Sequence, residues 1–213
     1  MPIARLLIGI PAGLAALVAV LAFGGAVYHA FSTARERRRY REPGRLIDVG
    51  GHRLHVHCMG AGGPAVVMDA GAGGSSLDWH RVQPEVATFT RACAYDRGGF
   101  GWSEPGPKPR TVDRLAEELH ALLVNAGIPQ PYVLVGHSFA GLNVRRFACK
   151  YPDEVADIVL IDATHEDIKA RFPPEFKRLQ ASAIRLLRFG RATAPLGLPR
   201  LLRRPMAAAN LSP

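Results

Sequence analysis

The sequence predicts an α/β fold, a parallel sheet with helices on both faces, preceded by one transmembrane helix. Three observations predict it. Short apolar runs rich in β-formers alternate with segments of helical periodicity through the middle of the 213-residue chain, the pattern of a sheet buried on both sides. A long uncharged stretch stands at the N-terminus. A basic linker separates the two, dividing the chain into an anchor and linker (1–44), a core (45–162), and lid helices with a tail (163–213).

The N-terminal stretch "LLIGIPAGLAALVAVLAFGGAVYHAF", Leu6 to Phe31, has no Asp, Glu, Lys or Arg. A bilayer core needs about 20 apolar residues in helix, so the stretch is long enough to span. Pro11 and the glycines are tolerated in a membrane helix. Tyr28 and His29 fall near the interface. The alternative is a cleaved signal peptide, with Ser32-Thr33-Ala34 as its cleavage site. The apolar run is longer than a usual signal core, which favours a retained single-pass anchor. Arg35, Arg37, Arg38, Arg39 and Arg41 come after it, against Arg5 before it. By the positive-inside rule the core then lies on the cytoplasmic side.

"RLIDVGGHRLHVHCMG" reads as a hairpin, two alternating runs around Gly50-Gly51. "PAVVMDA" (Pro64 to Ala70) is a short buried strand that empties into the glycine-rich loop "GAGGSS". Trp79 to Thr88 can form a helix, broken by or starting near Pro84. "RACAYD" (Arg91 to Asp96) is a strand followed by the loop "DRGGFGWSEPG". Thr111 caps a helix to about Ala126, with Leu115, Leu119, Leu122 and Leu123 on one face and Gly127 closing it. A strand from Tyr132 to Val135, a helix to about Tyr151 and a strand from Val155 to Ile161 complete the alternation. Beyond Asp162 the pattern becomes helical and amphipathic, with Phe176, Leu179, Ala183, Leu186 and Leu187 on one side, read as ordinary core packing. The tail "ATAPLGLPRLLRRPMAAANLSP" has turn residues and no strand.

The net charge of +9 comes almost wholly from arginine. No basic stripe interleaved with aromatics and no nucleic-acid motif accompanies it, so nucleic acid is not an expected partner. Cys58, Cys93 and Cys149 sit in apolar contexts and are odd in number, which reads as buried thiols in a reducing compartment. No Cys/His spacing suits a metal, and neither metal nor cofactor is expected.

Chemistry enters at "PYVLVGHSFAGLNVRRFA", Pro131 to Ala148, where a strand becomes a helix at Ser138. A serine at such a turn is lifted clear of the sheet's C-terminal edge, and small residues two before and two after it let the chain fold back. Gly136 and Ala140 fill those places. The following helix aims its N-terminus at the site, favouring negative charge there.

With "DAGAGGSSLDW", "YDRGGFGWSEPG", "VGHSFAG" and "VLIDATHED" in that order, the sequence resembles the α/β-hydrolase fold family from about Leu46 to Asp167. Ala140 departs from the glycine more usual there; both are small. The resemblance implies Ser138 as nucleophile and the N–H of Phe139 as one oxyanion donor. It implies the Ala72 N–H as the second donor, although Ala70 stands where the family usually has histidine. Gly71, Gly73 and Gly74 then form the loop that approaches substrate. Asp96, Arg97 and Ser103 read as structural, through turn formation and a local ion pair, and His137 as a packing residue. A serine nucleophile argues against dehalogenase or epoxide hydrolase chemistry, where the family uses aspartate.

The resemblance leaves the triad open. Asp162, ending the sixth strand, is the acid candidate; a helix cap or loop anchor is its other reading. In the family the acid follows the sixth or, more often, the seventh strand and the histidine follows the eighth; neither later strand has a counterpart in this sequence, and His165 is a distant substitute base. The chain reads as an incomplete hydrolase sheet with little turnover. The resulting expectation is a membrane-anchored serine hydrolase acting on a small-molecule ester or related acyl substrate through an acyl-enzyme. The rivals are a non-catalytic binding module of the same fold and a basic helix ("RLLRFGR") that serves the membrane surface. Oligomeric state is not readable from the sequence.

Overall fold

The computed structural model describes residues 2–202. The chain divides into two compact units, Glu42–Arg171 and the described residues of Met1–Arg41 with Phe172–Pro213.

In the first unit, β1 (Arg45–Asp48) and β2 (Arg53–Met59) form the expected hairpin, with Asp48 opposite Arg53. β3 (Ala65–Asp69), β4 (Ala92–Tyr95), β5 (Tyr132–His137) and β6 (Val155–Ile161) complete a six-stranded sheet of order β1-β2-β4-β3-β5-β6. The sheet is parallel from β4 to β6, while β2 runs antiparallel both to β4 and to β1, the latter as a tight hairpin requires. The helical segment after β3 is shorter than the sequence suggests, a 3₁₀ turn at Ser76–Trp79 and then α2 (Val82–Val86).

α3 (Val112–Asn125) begins where Thr111 Oγ1 accepts from the Arg114 N–H at 3.3 Å. It packs with α4 (Ala140–Lys150) on one face of the sheet, burying Leu119, Leu122, Leu123, Val144 and Phe147 against Val67, Tyr95 and Leu134. On the other face Met68, Ala94 and Val135 pack with Trp79. Alternate residues of β3 and β5 thus meet opposite layers, as a two-sided core demands. β6 lies at the sheet edge, with Val159, Leu160 and Ile161 exposed. The short α5 (Ile168–Arg171) ends this unit.

The cysteine reading is corrected. Cys58 and Cys93 form a disulfide, and Cys149 is exposed. The antiparallel register sets Cys58 directly opposite Cys93, so their side chains leave the same face. The pair removes the cysteine-based ground for a reducing compartment.

In the second unit, α1 (Pro2–Arg39) is one continuous helix. Its segment Gly13–Glu36, of mean hydropathy 2.0, is long and apolar enough to cross a membrane. The C-terminal half supplies α6 (Pro174–Thr193), a 3₁₀ turn at Ala194–Leu196 and α7 (Leu198–Leu202). The apolar stripe of α6 does not form a core as expected, since Phe176, Leu179, Leu186 and Leu187 are all exposed. The rest of the tail lies outside the described residues.

Candidate active site

Ser138 stands between β5 and α4 with φ 51°, a left-handed conformation that a residue with a Cβ adopts only under constraint. The constraint is visible. The Ser138 N–H donates to the Ile161 carbonyl at 3.0 Å, and its own carbonyl accepts from the N–H groups of Gly141 at 3.0 Å and Thr164 at 2.9 Å. A Cβ at Gly136 would lie 2.8 Å from Val144 Cγ2 and 2.9 Å from the Ala140 carbonyl oxygen, so the strand must carry glycine where α4 doubles back over it. Phe139 is the N-cap residue of α4, with its N–H at the positive end of the helix.

The glycine-rich loop comes up against this turn. Ser138 Cβ is 3.4 Å, and His137 Nδ1 3.1 Å, from where a Cβ on Gly71 would sit. The Gly74 N–H donates to the Gly71 carbonyl at 3.1 Å, with Gly73 at φ 79° inside the turn. Ala72 and Gly73 of the loop, together with Phe139, Phe100 and Leu115, line a cavity of about 310 Å³. The structure therefore brings together Ser138, Phe139, Gly71, Ala72 and Gly73. Gly74 lies just behind them, against Ala70 and Asp78.

A buried polar network that sequence reading missed holds the loop. Asp69, at the end of β3, accepts from Tyr95 Oη at 2.7 Å and Asn143 Nδ2 at 2.7 Å, and pairs with the Arg97 guanidinium. Arg97 also donates to the Ala70 and Gly71 carbonyls, and its guanidinium lies 5.5 Å from the Phe139 ring centroid. Burial, reinforced by the Asp69 charge, pushes the Tyr95 hydroxyl well above its ordinary value, so it stays protonated and donates. One signal was available: an aspartate ending the apolar run "VVMD" needs a partner once buried.

The expected local ion pair is thereby corrected. Arg97 pairs with Asp69 on the neighbouring strand, while Asp96 pairs with His55, Nδ1 to Oδ2 at 2.9 Å, both fully buried. Burial alone would raise the Asp96 carboxyl, but His55 and the N–H groups of Ser76 and Trp102 hold it below the usual carboxylate range. Ser103 Oγ donates to the Asp96 carbonyl at 2.6 Å, in the structural role expected of it.

Asp162 comes directly after β6 with φ 43° and is exposed. It and Ser138 are the two non-glycine residues of positive φ among those described, and they leave adjacent strands at the same edge. No described histidine is hydrogen-bonded to either. His165 is exposed, with Nε2 3.6 Å from Glu166 and Nδ1 3.7 Å from Asp167.

Residues 64–201 match the sequence pattern of the alpha/beta hydrolase fold. Protein YbdG of Bacillus subtilis is 28% identical over 151 residues, covering 70% of this chain and 46% of that protein. Lipase LipV of Mycobacterium tuberculosis is 40% identical over 110 residues, covering 51% of this chain and 41% of the lipase. Among solved structures, a thermophilic esterase from Thermogutta terrifontis superposes with a TM-score of 0.52 at 27% identity, covering 56% of this chain and 45% of the esterase. The chain thus spans less than half the length of each of these relatives. By the extent of the match and by the strand-to-helix turn at Ser138, the chain belongs to the α/β-hydrolase fold family.

Proposed function

We propose that the protein is a serine hydrolase of esters or related acyl compounds, attached to a membrane by α1. The observation that carries the reading is the left-handed backbone at Ser138, a non-glycine residue held at φ 51° where β5 meets α4. Backbone strain of this kind costs about 1–3 kcal/mol and persists where it serves a site. In this reading Ser138 Oγ gives its proton to a general base and attacks the acyl carbon, and the N–H groups of Phe139 and Ala72 receive the developing oxyanion. Collapse expels the protonated alcohol to leave an acyl-enzyme that water hydrolyses. The α4 N-terminus adds to that stabilisation. The acyl group of a small-molecule substrate occupies the apolar cavity beside Phe100 and Phe139. Asp162 serves as the triad acid from the neighbouring strand. The chemistry requires no cofactor or metal.

A second reading, a binding module of the same fold without turnover, is favoured by one observation: none of the described histidines is hydrogen-bonded to Ser138 or Asp162. The two readings separate in an assay of p-nitrophenyl esters beside Ser138→Ala. An oxyanion hole without a complete triad still gives roughly 10³- to 10⁴-fold over water. That residual does not depend on the serine, so the hydrolase reading expects the parent to exceed Ser138→Ala well beyond it; equal rates in the two proteins favour the binding module.

For location, the arginine-rich flank of α1 supports the core on the cytoplasmic side. The Cys58–Cys93 disulfide favours the oxidising side instead. A topology reporter fused after Arg41 decides: a cytoplasmic signal upholds the orientation read from the arginine flank, and an external signal the one read from the disulfide.

A further inference from the structure

The C-terminal helices carry an apolar face that nothing in their own compact unit covers. In α6, Phe176, Leu179, Ala183, Leu186, Leu187 and Gly190 recur at the i, i+3, i+7, i+10, i+11, i+14 spacing of a helical stripe. Leu179, Leu186 and Leu187 are 66%, 71% and 72% exposed. The opposite face carries Arg178, Arg185 and Arg188, with Arg191 at its edge. An apolar stripe facing away from an arginine-rich face is the composition of a helix lying in a membrane interface.

The segment after α6 ties it to the membrane-spanning helix. From Ala192 to Pro199, "ATAPLGLP" is uncharged. Its 3₁₀ turn sits on α1 at Gly25, where a Cβ would overlap the Leu196 carbonyl oxygen; a Cβ on Gly197 would in turn lie 2.7 Å from the Gly25 carbonyl oxygen. Arg200 then reaches back along α1, donating to His29 Nδ1 at 3.2 Å, Thr33 Oγ1 at 3.1 Å and the Glu36 carboxylate at 2.6 and 2.7 Å. At about 1.5 Å per residue, Gly25 lies some 6 Å from His29 towards the centre of the apolar span. That depth matches the roughly 5–10 Å to which interfacial helices insert.

We propose that the membrane unit is built from both ends of the chain. α6 lies in the surface of an anionic bilayer with its leucine stripe in the acyl boundary, and the turn Ala194–Leu196 dips beside α1 between the flanking Arg191 and Arg200. The occupant of the apolar face is lipid. The proposal rests on the reading that α1 spans the membrane, so the test reports on the two separately.

The full chain, with Cys149→Ser to remove the exposed thiol, is placed in phosphatidylcholine–phosphatidylglycerol vesicles carrying doxyl-labelled lipid. An environment-sensitive fluorophore is attached at Leu187→Cys, at Val20→Cys within α1, or at Val124→Cys on the exposed face of α3. Quenching at 187 and 20 but not at 124 is expected. Neutralising Arg185, Arg188 and Arg191 to glutamine should weaken insertion at 187 by about fivefold per arginine and leave 20 unchanged. Quenching at 20 without quenching at 187 overturns the proposal, because another surface then covers the stripe. Absence of quenching at both positions overturns the spanning reading with it.

Discussion

The carbonyl oxygen of Ser138 accepts a hydrogen bond from the N–H of Thr164, 2.9 Å away. Through this bond the exit of β6 holds the turn that lifts the serine, and the Ile161 carbonyl does the same from the other side of the residue. The strained backbone conformation at Ser138 is therefore held by a neighbouring strand as well as by the local sequence.

Relieving that strain should stabilise the fold while removing the nucleophile. A left-handed residue with a Cβ costs about 1–2 kcal/mol, which glycine avoids. Ser138→Gly is expected to raise the unfolding free energy by about 1 kcal/mol over Ser138→Ala in urea titrations. A glycine variant no more stable than the alanine variant would mean that the turn is not strained.

Arg97 should act on the loop through Asp69 and the Ala70 and Gly71 carbonyls. Arg97→Met leaves the buried Asp69 carboxylate without its cation, a loss of about 3–5 kcal/mol. Adding Asp69→Asn to Arg97→Met should recover part of it, so the two changes are not additive. Simple additivity in chemical denaturation would show that the pair does not hold the loop.

Much of the fold was legible in the sequence where the signal is local. Periodicity marks β1 to β6 and the faces of α3, and Gly136, Ser138 and Ala140 announce their turn by size and order. What stayed hidden depends on register between distant segments. Cys58 meets Cys93 only because β2 runs antiparallel to β4, and Arg97 reaches Asp69 only because β3 and β4 are parallel neighbours. The α6 stripe misled for a related reason: amphipathic spacing tells that a face needs cover, not what covers it.

The pairing of Cys58 with Cys93 predicts thiol reactivity. Without reductant, maleimide should modify only the exposed Cys149; after reduction of the unfolded chain, all three cysteines should react. Replacing the pair with alanines should cost about 3–4 kcal/mol, the chain-entropy value for closing a loop of this length. Three reactive thiols in the native, unreduced protein would contradict the bond.

Acid should weaken the core through Asp96. Its folded pKa lies below the unfolded value, so its contribution is present above about pH 3.9 and disappears as the pH falls through the folded value. Asp96→Asn is expected to lower stability at neutral pH and to flatten the acid limb of the stability profile. A variant whose acid limb matches the parent's would remove Asp96 from the acid response.

The central claim, that Ser138 is the activated nucleophile of a hydrolase site, is tested most directly by labelling the protein with a fluorophosphonate probe and mapping the adduct by peptide mass spectrometry. The adduct is predicted on Ser138, with none formed on Ser138→Ala. An adduct on another residue, or equal labelling of the alanine variant, would contradict the assignment.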